Sequence, residues 1–477
     1  MYRTLVLLLA LAQVAGAQPS QVVISPGLRD ALDHISPNSL RGHLSFIASD
    51  LLAGRDTPSP GLDIAAEYIA AQFRRAGLEP GGDAGSYFQN ATLNSQQPDL
   101  EGFTLKLTSG EHTVSVAPAD AGLQLTQALN LVNAPLIKLH GNDEHADLNG
   151  QVVILEMDRT ALRRLRSAKP ALIILVDRIL VDRAGAMPAQ EHAQLIDPED
   201  AARPPRIVLH DPAAIEFFDH IKAGQASISI HAPAAKTNRV TVRNVIAILR
   251  GSDPALKDTC VLLTAHYDHL GAQHNGANDD GSGTVSVIEI ASALAGLKER
   301  PKRSIVFAAF FGEEKGLLGS RYYVRHPAFP LSQTVAGLNL EQLGRTDSSD
   351  GEQREEASLT GSDYSGVGEY VKAAGKLTGI QIHKHDSNSD LYFPASDNYS
   401  LAEAGVPAHT LAVAYQFSDY HRTGDDWPKV DFENMAKVDR MAAVAVVGLA
   451  SSVDTPQWNQ ANGKADRFRK AREESRP

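Results

Sequence analysis

Histidines and carboxylates that could bind metal ions are concentrated in five short segments of this 477-residue chain. The segments cover residues 264–271, 276–283, 310–316, 339–344 and 419–423. Three of them begin where an apolar run that predicts a buried strand ends. A single histidine or acid at a strand end is commonplace, so the evidence lies in the combination.

The first segment contains His266 and Asp268, which are separated by one residue. In an extended chain, residues i and i+2 point the same way. A metal-bound imidazole commonly has its other ring nitrogen held by a carboxylate, and Asp268 suits that role. The alternative is a structural His–Asp pair with no metal.

Five side chains together form a mixed nitrogen and oxygen ligand set that suits zinc. They are His266, Asp279, Glu314, Glu341 and His421. This number exceeds the three protein ligands that one catalytic zinc normally has. If Asp279 bridges two ions, the five ligands make three bonds to each ion and leave room for a shared water. The alternative for Asp279 and Glu314 is that they only start helices, where acids are favourable.

Glu313 precedes Glu314 and is not needed as a ligand. Two Zn²⁺ ions and three carboxylates leave one positive charge, which a bridging hydroxide would cancel. Metal coordination lowers the pKa of water toward neutrality, and Glu313 can accept its proton. The predicted chemistry is therefore metal-assisted hydrolysis with Glu313 as general base and acid.

Strands and helices alternate in the second half of the chain, which predicts an α/β fold with a sheet covered on both faces. The predicted strands are 240–249, 260–265, 305–311 and 335–340, and the predicted helices are 283–297, 315–325, 363–377, 398–404 and 431–450. Helical spacing also occurs at 40–48 and 64–76. Ligands of open α/β sheets bind at the carboxyl ends of the strands, where three of the five segments lie.

The stretch from about residue 100 to 235 consists of short β-like runs separated by turns and is predicted to be an inserted domain. We expect a discontinuous catalytic domain at 25–99 and 238–455, an insert at 100–237 and a polar, frayed C-terminal tail at 456–477. The predicted fold class is a three-layer α/β/α domain with a mixed central sheet, plus a smaller β-rich inserted domain.

The N-terminus has the pattern of a signal peptide, with a base at Arg3, an apolar run at 5–11 and small residues ending at Ala17. We expect residues 1–17 to be cleaved off and the protein to be secreted or periplasmic. The later apolar stretch at 441–450 is too short for a membrane span. Since Cys260 is the only cysteine, no intramolecular disulfide can form.

The net charge of −12 and a pI of about 5.8 argue against a general nucleic-acid binder, which needs a basic face. We therefore expect peptide substrates, no nucleic-acid partner and no stable membrane insertion.

At these residues the chain resembles the co-catalytic dizinc aminopeptidase family, which includes bacterial leucyl aminopeptidase-like enzymes, glutamate carboxypeptidases and glutaminyl cyclases. The resemblance covers residues 44–50, 53–56 and 65–69 and the region from about 238 to 450. Residues 147–153 more faintly resemble the start of a protease-associated domain.

The resemblance implies which residues share an ion, in a centre with two Zn²⁺ per chain. His266 and Glu341 would complete one site, Glu314 and His421 the other, and Asp279 would bridge them. It further implies that Asp268 orients His266, that Tyr420 donates to the oxyanion, and that the Asp279–Asp280 peptide bond is cis.

The leading hypothesis is a secreted aminopeptidase in which a metal-bridging hydroxide attacks the scissile carbonyl. A carboxypeptidase or dipeptidase would need a cationic residue for the free carboxylate, and Arg321, Arg345 and Arg422 are the candidates. A glutaminyl cyclase is a different reaction on the same fold, and a receptor-like binding module is the alternative that is not an enzyme. Glu341 stands where many relatives have Asp, and Asn398 stands where a histidine is common.

Overall fold

We describe the protein from a computed structural model. It describes residues 22–125, 127–139, 148–156, 165, 169–178, 194–198, 204–222, 224–349, 351–385 and 388–475. The predicted signal peptide at 1–17 and Asp147, the first residue of the segment resembling a protease-associated domain, lie outside the described residues.

The described residues contain the following helices and strands in chain order. The helices are α1 (Pro26–Asp33), α2 (Pro37–Ile47), α3 (Pro60–Arg75), α4 (Pro212–His220), α5 (Gly283–Ala295), α6 (Leu318–Arg325), α7 (Val367–Thr378), α8 (Asn388–Tyr392), α9 (Asn398–Glu403), α10 (Phe432–Ser451) and α11 (Asp466–Glu474). The strands are β1 (Glu79–Pro80), β2 (Phe88–Gln97), β3 (Thr104–Ser109), β4 (His112–Val116), β5 (Ala121–Gln124), β6 (Leu129–Lys138), β7 (Val152–Glu156), β8 (Leu172–Val176), β9 (Gln194–Ile196), β10 (Arg206–Leu209), β11 (Ala226–Ala232), β12 (Lys236–Leu249), β13 (Cys260–His266), β14 (Ser304–Phe310), β15 (Thr334–Leu340), β16 (Asp347–Ser348), β17 (Gly351–Glu352), β18 (Glu356–Leu359), β19 (Gln381–His383) and β20 (Ala408–Ala412).

The chain divides into two compact units. One unit, here called the first unit, comprises Met1–Ala91 and Arg243–Pro477, and the other, the second unit, comprises Thr92–Val242. The divisions fall inside β2 and β12, whereas the sequence placed them at residues 100 and 237. No helix in the described part of the chain is both long and apolar enough to cross a membrane.

The sheet of the first unit runs in the order β19-β18-β20-β15-β13-β14-β12, with β1 paired to β12. Its centre is parallel, because β13 pairs in parallel with β14 and β15, and β15 pairs in parallel with β20. Antiparallel pairs of β12 with β14 and of β18 with β20 make the sheet mixed. The carboxyl ends of β14, β13, β15 and β20 therefore lie next to one another at one edge.

Helices cover both faces of this sheet. Cys260 and Leu262 of β13 belong to a buried cluster with Tyr323 of α6 and Leu401 of α9. The alternate residues of β13 are equally buried, and α5 and α10 pack on that strand. Strands buried on both faces require continuous apolar sequence, which is what the chain has here. The predicted mixed α/β fold class is confirmed, with the central strands within a few residues of their predicted bounds.

The expectation of a frayed C-terminal tail was wrong. The polar stretch after Pro456 contains helix α11, in which Phe468 is buried. Phe468 stacks on the buried Trp458 at 5.0 Å and lies against Tyr399 of α9. Trp458 and Phe468, which are ten positions apart, therefore anchor a segment that is otherwise mostly polar and charged.

The second unit is built on an eight-stranded sheet in the order β4-β3-β11-β6-β7-β8-β10-β5. Strands β6, β7, β8 and β10 are parallel neighbours, and the outer pairs are antiparallel. Helix α4 buries Phe217 and Phe218 in the core on one face. This unit is β-rich, and β2 pairs with β9 within it.

Candidate metal centre

The adjacent carboxyl ends of the parallel strands bring the predicted site residues together. His266 is the last residue of β13, Glu313 and Glu314 follow β14, and Glu341 directly follows β15. His421 lies in the loop after β20 and has a left-handed backbone (φ +56°). Segments far apart in sequence thus meet because their strands are neighbours in the sheet.

Asp279 lies in the loop that leads into α5, and its peptide bond with Asp280 is cis, as the resemblance implied. The carboxylate of the buried Asp425 accepts the backbone N–H groups of Asn278 and Asp279, at 3.0 Å each. Asp280 accepts N–H groups from His266, Gly283 and Gln342. Asp280 and Asp425 fix the loop that carries Asp279, and sequence reasoning did not single out Asp425.

The two carboxylate oxygens of Asp279 face two different imidazoles. Its Oδ1 lies 3.4 Å from Nε2 of His266, and its Oδ2 lies 3.0 Å from Nε2 of His421. The same nitrogen of His421 lies 3.5 Å from Oε2 of Glu314. Asp279 is therefore placed between the two halves of the predicted ligand set.

Two groups of potential ligand atoms share Asp279. One group is His266, Asp279 and Glu341, and the other is His269, Asp279 and Glu314, with the ligand atoms of each group within 4.8 Å of one another. His269 is a residue that the sequence analysis missed, although it lies in the same segment as His266. Its signal was a second histidine three positions after the first.

Unpartnered atoms show that this donor set fits metal ions. Nε2 of His266, both ring nitrogens of His269 and Oε1 of Glu314 are buried and have no hydrogen-bond partner. Buried polar atoms are normally hydrogen-bonded. Nitrogen and oxygen donors that converge without satisfying one another are suited to bind a shared cation.

Burial and neighbouring charges shift the pKa values of the side chains in the centre. Burial raises the pKa of Glu313 well above its ordinary value, and the charges of Glu314 and Glu341 raise it further. Burial likewise raises the pKa of Glu341, to about 7. Burial alone would lower the pKa of His421, but the hydrogen bond with Asp279 and the charge of Glu314 raise it to about 9. A site that concentrates this much negative charge favours bound cations.

Asp268 lies where it can hold both His266 and the Glu313 segment. Nδ1 of His266 lies 3.2 Å from the backbone oxygen of Asp268 and 3.6 Å from its carboxylate. That carboxylate also accepts the backbone N–H of Glu313 at 3.1 Å and the hydroxyl of Thr57 at 3.1 Å. Thr57 was not among the predicted residues.

Tyr420 stacks on His421 with ring centroids 4.0 Å apart. Burial raises the pKa of its hydroxyl, as do the surrounding carboxylates, so the hydroxyl keeps its proton. Arg345 holds the loop that carries Tyr420, because it contacts Asp419 of that loop at 3.0 Å. Asp419 also pairs with Lys429 at 3.0 Å.

Arg55 supports the centre from the helical N-terminal region. It is fully buried, and its guanidinium donates to four backbone carbonyls, those of Ile47, Tyr267, Asn275 and Gly276. Burial lowers its pKa to about 10, although nearby carboxylates oppose that shift. One side chain therefore ties the segment after His266 to the segment before Asp279.

We predict that Arg55→Met lowers the free energy of unfolding by about 3 kcal/mol or more, because each buried carbonyl left unsatisfied costs about 1–3 kcal/mol. Arg29→Met, at an exposed position of α1, should change it by less than about 0.5 kcal/mol. Urea unfolding of both variants in the presence of zinc measures the difference. Equal stability of the two variants would show that the Arg55 contacts do not hold the site together.

Residues 244–446 match the model of Peptidase family M28. A probable leucine aminopeptidase 2 from Aspergillus oryzae is 26% identical over 368 residues, which are 69% of each chain. A vacuolar membrane protease from Tuber melanosporum is 29% identical over 222 residues, 44% of this chain and 22% of that protein. This chain therefore spans about a fifth of the length of that relative and of a similar protease from Candida tropicalis.

Solved structures share the fold. An aminopeptidase from Aneurinibacillus sp. strain AM-1 superposes with a TM-score of 0.58 at 18% identity and covers 91% of this chain and 100% of its own. BSAP, a zinc aminopeptidase from Bacillus subtilis, superposes with a TM-score of 0.50 at 20% identity. It covers 86% of this chain and 94% of its own. Together with the ligand geometry, the match of residues 244–446 to Peptidase family M28 supports the predicted class of enzyme, a zinc metallopeptidase.

Proposed function

We propose that the protein is a dizinc exopeptidase that removes N-terminal residues from peptides. The observation that carries this proposal is the position of Asp279, which belongs to both groups of potential ligand atoms and turns one oxygen toward each imidazole. The likeness to proteins named zinc aminopeptidase and leucine aminopeptidase supports the choice of metal and substrate.

The residues that would hold the ions are His266 and Glu341 on one side and Glu314 and His421 on the other, bridged by Asp279. When bound, two zinc ions polarise the scissile carbonyl and lower the pKa of the attacking water. Glu313 lies within reach, since its Oε2 is 4.0 Å from Nε2 of His266. It takes the proton from the attacking water and then transfers it to the leaving amine.

Tyr420 and Asp268 have supporting roles in this proposal. The protonated hydroxyl of Tyr420 donates to the oxygen on which negative charge develops. Asp268 keeps Nε2 of His266 directed at the centre by contacting the opposite side of the ring. Because Asp268 also binds the backbone N–H of Glu313, it positions the base and a ligand together.

The charges near the centre favour an aminopeptidase over a carboxypeptidase. Arg345, one of the arginines considered for a substrate carboxylate, is buried, and its charge is matched by Asp347 and Asp419. Carboxylates dominate the rest of the centre, and a substrate α-ammonium group fits such surroundings better than an α-carboxylate does. Export of the protein is proposed on the N-terminal sequence alone.

A panel of one peptide in four forms tests this proposal: unmodified, N-acetylated, C-amidated and blocked at both ends. We expect sequential release of N-terminal residues from the unmodified and C-amidated peptides and none from the acetylated forms. Release should stop with a chelator and return with zinc. Cleavage of the acetylated peptide from its free C-terminus would show a carboxypeptidase, and cyclisation of N-terminal glutamine without hydrolysis would show a glutaminyl cyclase.

A further inference from the structure

His269 is a buried imidazole that the proposed mechanism leaves without a role. Its side chain is 0% exposed, and neither ring nitrogen has a hydrogen-bond partner. Nδ1 nevertheless lies 2.8 Å from Oε1 of Glu314, an atom that also has no hydrogen-bond partner. The two atoms are close but not aligned as donor and acceptor.

The separation of Nδ1 of His269 and Oε1 of Glu314 is slightly shorter than that between two ligands of one ion. Donors bound at about 2.0–2.2 Å to a tetrahedral zinc lie roughly 3–3.5 Å apart. His269, Asp279 and Glu314 supply atoms within 4.8 Å of one another, so a small shift would place all three around one cation. The set joins a nitrogen donor to two carboxylates, which are donor types that zinc binds.

The fold holds the imidazole of His269 in this position. Gly276 has a left-handed backbone (φ +54°), and a Cβ at that position would lie 2.4 Å from Cγ of His269. The backbone N–H of His269 donates to the carbonyl of Arg55 at 3.3 Å. On the other side, the ring of His421 meets it edge-on with centroids 5.7 Å apart. The two imidazoles therefore converge on the same carboxylates.

We propose that Nδ1 of His269 is a further protein ligand of the ion held by Asp279 and Glu314. This inference rests on the dinuclear centre proposed above. His421 reaches that ion from a loop and is 36% exposed, whereas His269 reaches it from the interior. The ion at this position then has four protein ligands, and it stays bound when His421 is removed. The ion between His266 and Glu341 would have no fourth protein ligand.

X-ray absorption at the zinc edge of the full-length, zinc-loaded protein counts the imidazoles directly. We expect two ions and three imidazoles per chain in the wild type, and two ions or fewer with two imidazoles in His269→Ala. Competition with a chromophoric chelator should show that one of the two ions binds at least about 10-fold more weakly in this variant, because loss of a residue that only orients a ligand already costs about 10–100-fold. His274→Ala is the control, because His274 lies in the same loop and contacts only the backbone of Gly271 among the contacts described.

A second variant keeps the test decisive if His269→Ala does not fold. In His269→Asn the side-chain oxygen can occupy the place of Nδ1, so this variant should fold and recover part of the affinity. Two ions with only two imidazoles in the wild type, and unchanged zinc affinity in both variants, would overturn the role of His269 and leave the proposed function intact. Fewer than two ions in the wild type would overturn the dinuclear centre itself.

Discussion

Glu313→Gln should lower kcat for peptide hydrolysis by about 10²–10⁴-fold while the zinc content stays at the wild-type value. Glutamine has the shape of glutamate but does not accept the proton of the attacking water. Glu313 is not part of either ligand group, so its replacement should leave both ions in place. Kinetics on an unblocked peptide, combined with elemental analysis of the same sample, measures both effects.

The local charges give this prediction a second readout. In the metal-free protein, burial and the charges of Glu314 and Glu341 raise the pKa of Glu313, so the ionised side chain is destabilising there. Glu313→Gln should therefore be at least as stable as the wild type after chelation. Glu299→Gln, at an exposed position after α5, should alter neither kcat nor stability. Turnover of Glu313→Gln within about threefold of the wild type would contradict the assigned base.

Removal of zinc should destabilise the protein strongly. Saturation at 100 times Kd contributes about 2.7 kcal/mol for each site, so the two proposed sites would contribute about 5 kcal/mol. The carboxylates of the two ligand groups lie close together, and without metal their charges would repel one another. Thermal unfolding before and after chelation, with zinc restored as the control, should show a large and reversible fall in Tm.

The pH dependence of the chelated protein follows from the direction of the pKa shifts. The pKa values of Glu341 and His421 are raised to about 7 and about 9, by burial in the first case and by nearby carboxylates against burial in the second. The folded state then binds more protons than the unfolded state between the ordinary and the raised pKa values. Stability is therefore lost as pH rises through that interval.

Chelated protein should accordingly unfold at a lower temperature near pH 8.5 than near pH 5.5, and the loss of Tm caused by chelation should be larger at the higher pH. Burial also raises the pKa of Asp397, to about 6, which adds to the effect in the same direction. A Tm of the chelated protein that rises between these two pH values would contradict this electrostatic description of the centre.

Much of the centre was predictable because its residues directly follow apolar strands. His266, Glu314 and Glu341 each lie at or just beyond the end of a buried strand, and parallel pairing places those ends together. The position of each residue at the end of an apolar strand therefore predicted that residues far apart in the sequence meet. The same regularity predicted the central strands almost to their observed bounds.

The residues that the sequence did not reveal act through contacts between distant segments. Arg55 binds the backbone of Asn275, 220 positions away, and nothing near Arg55 in the sequence indicates that contact. Asp425 holds the backbone of Asp279 from 146 positions away. The burial of Phe468 was missed because the surrounding residues are charged and the aromatic partners are remote.

Anomalous diffraction from crystals of the zinc-loaded protein tests the central claim most directly. We expect two zinc peaks per chain, about 3.5–4 Å apart, with one oxygen of Asp279 bound to each ion. A single peak, or two peaks that do not share Asp279, would contradict a dinuclear centre bridged by that residue.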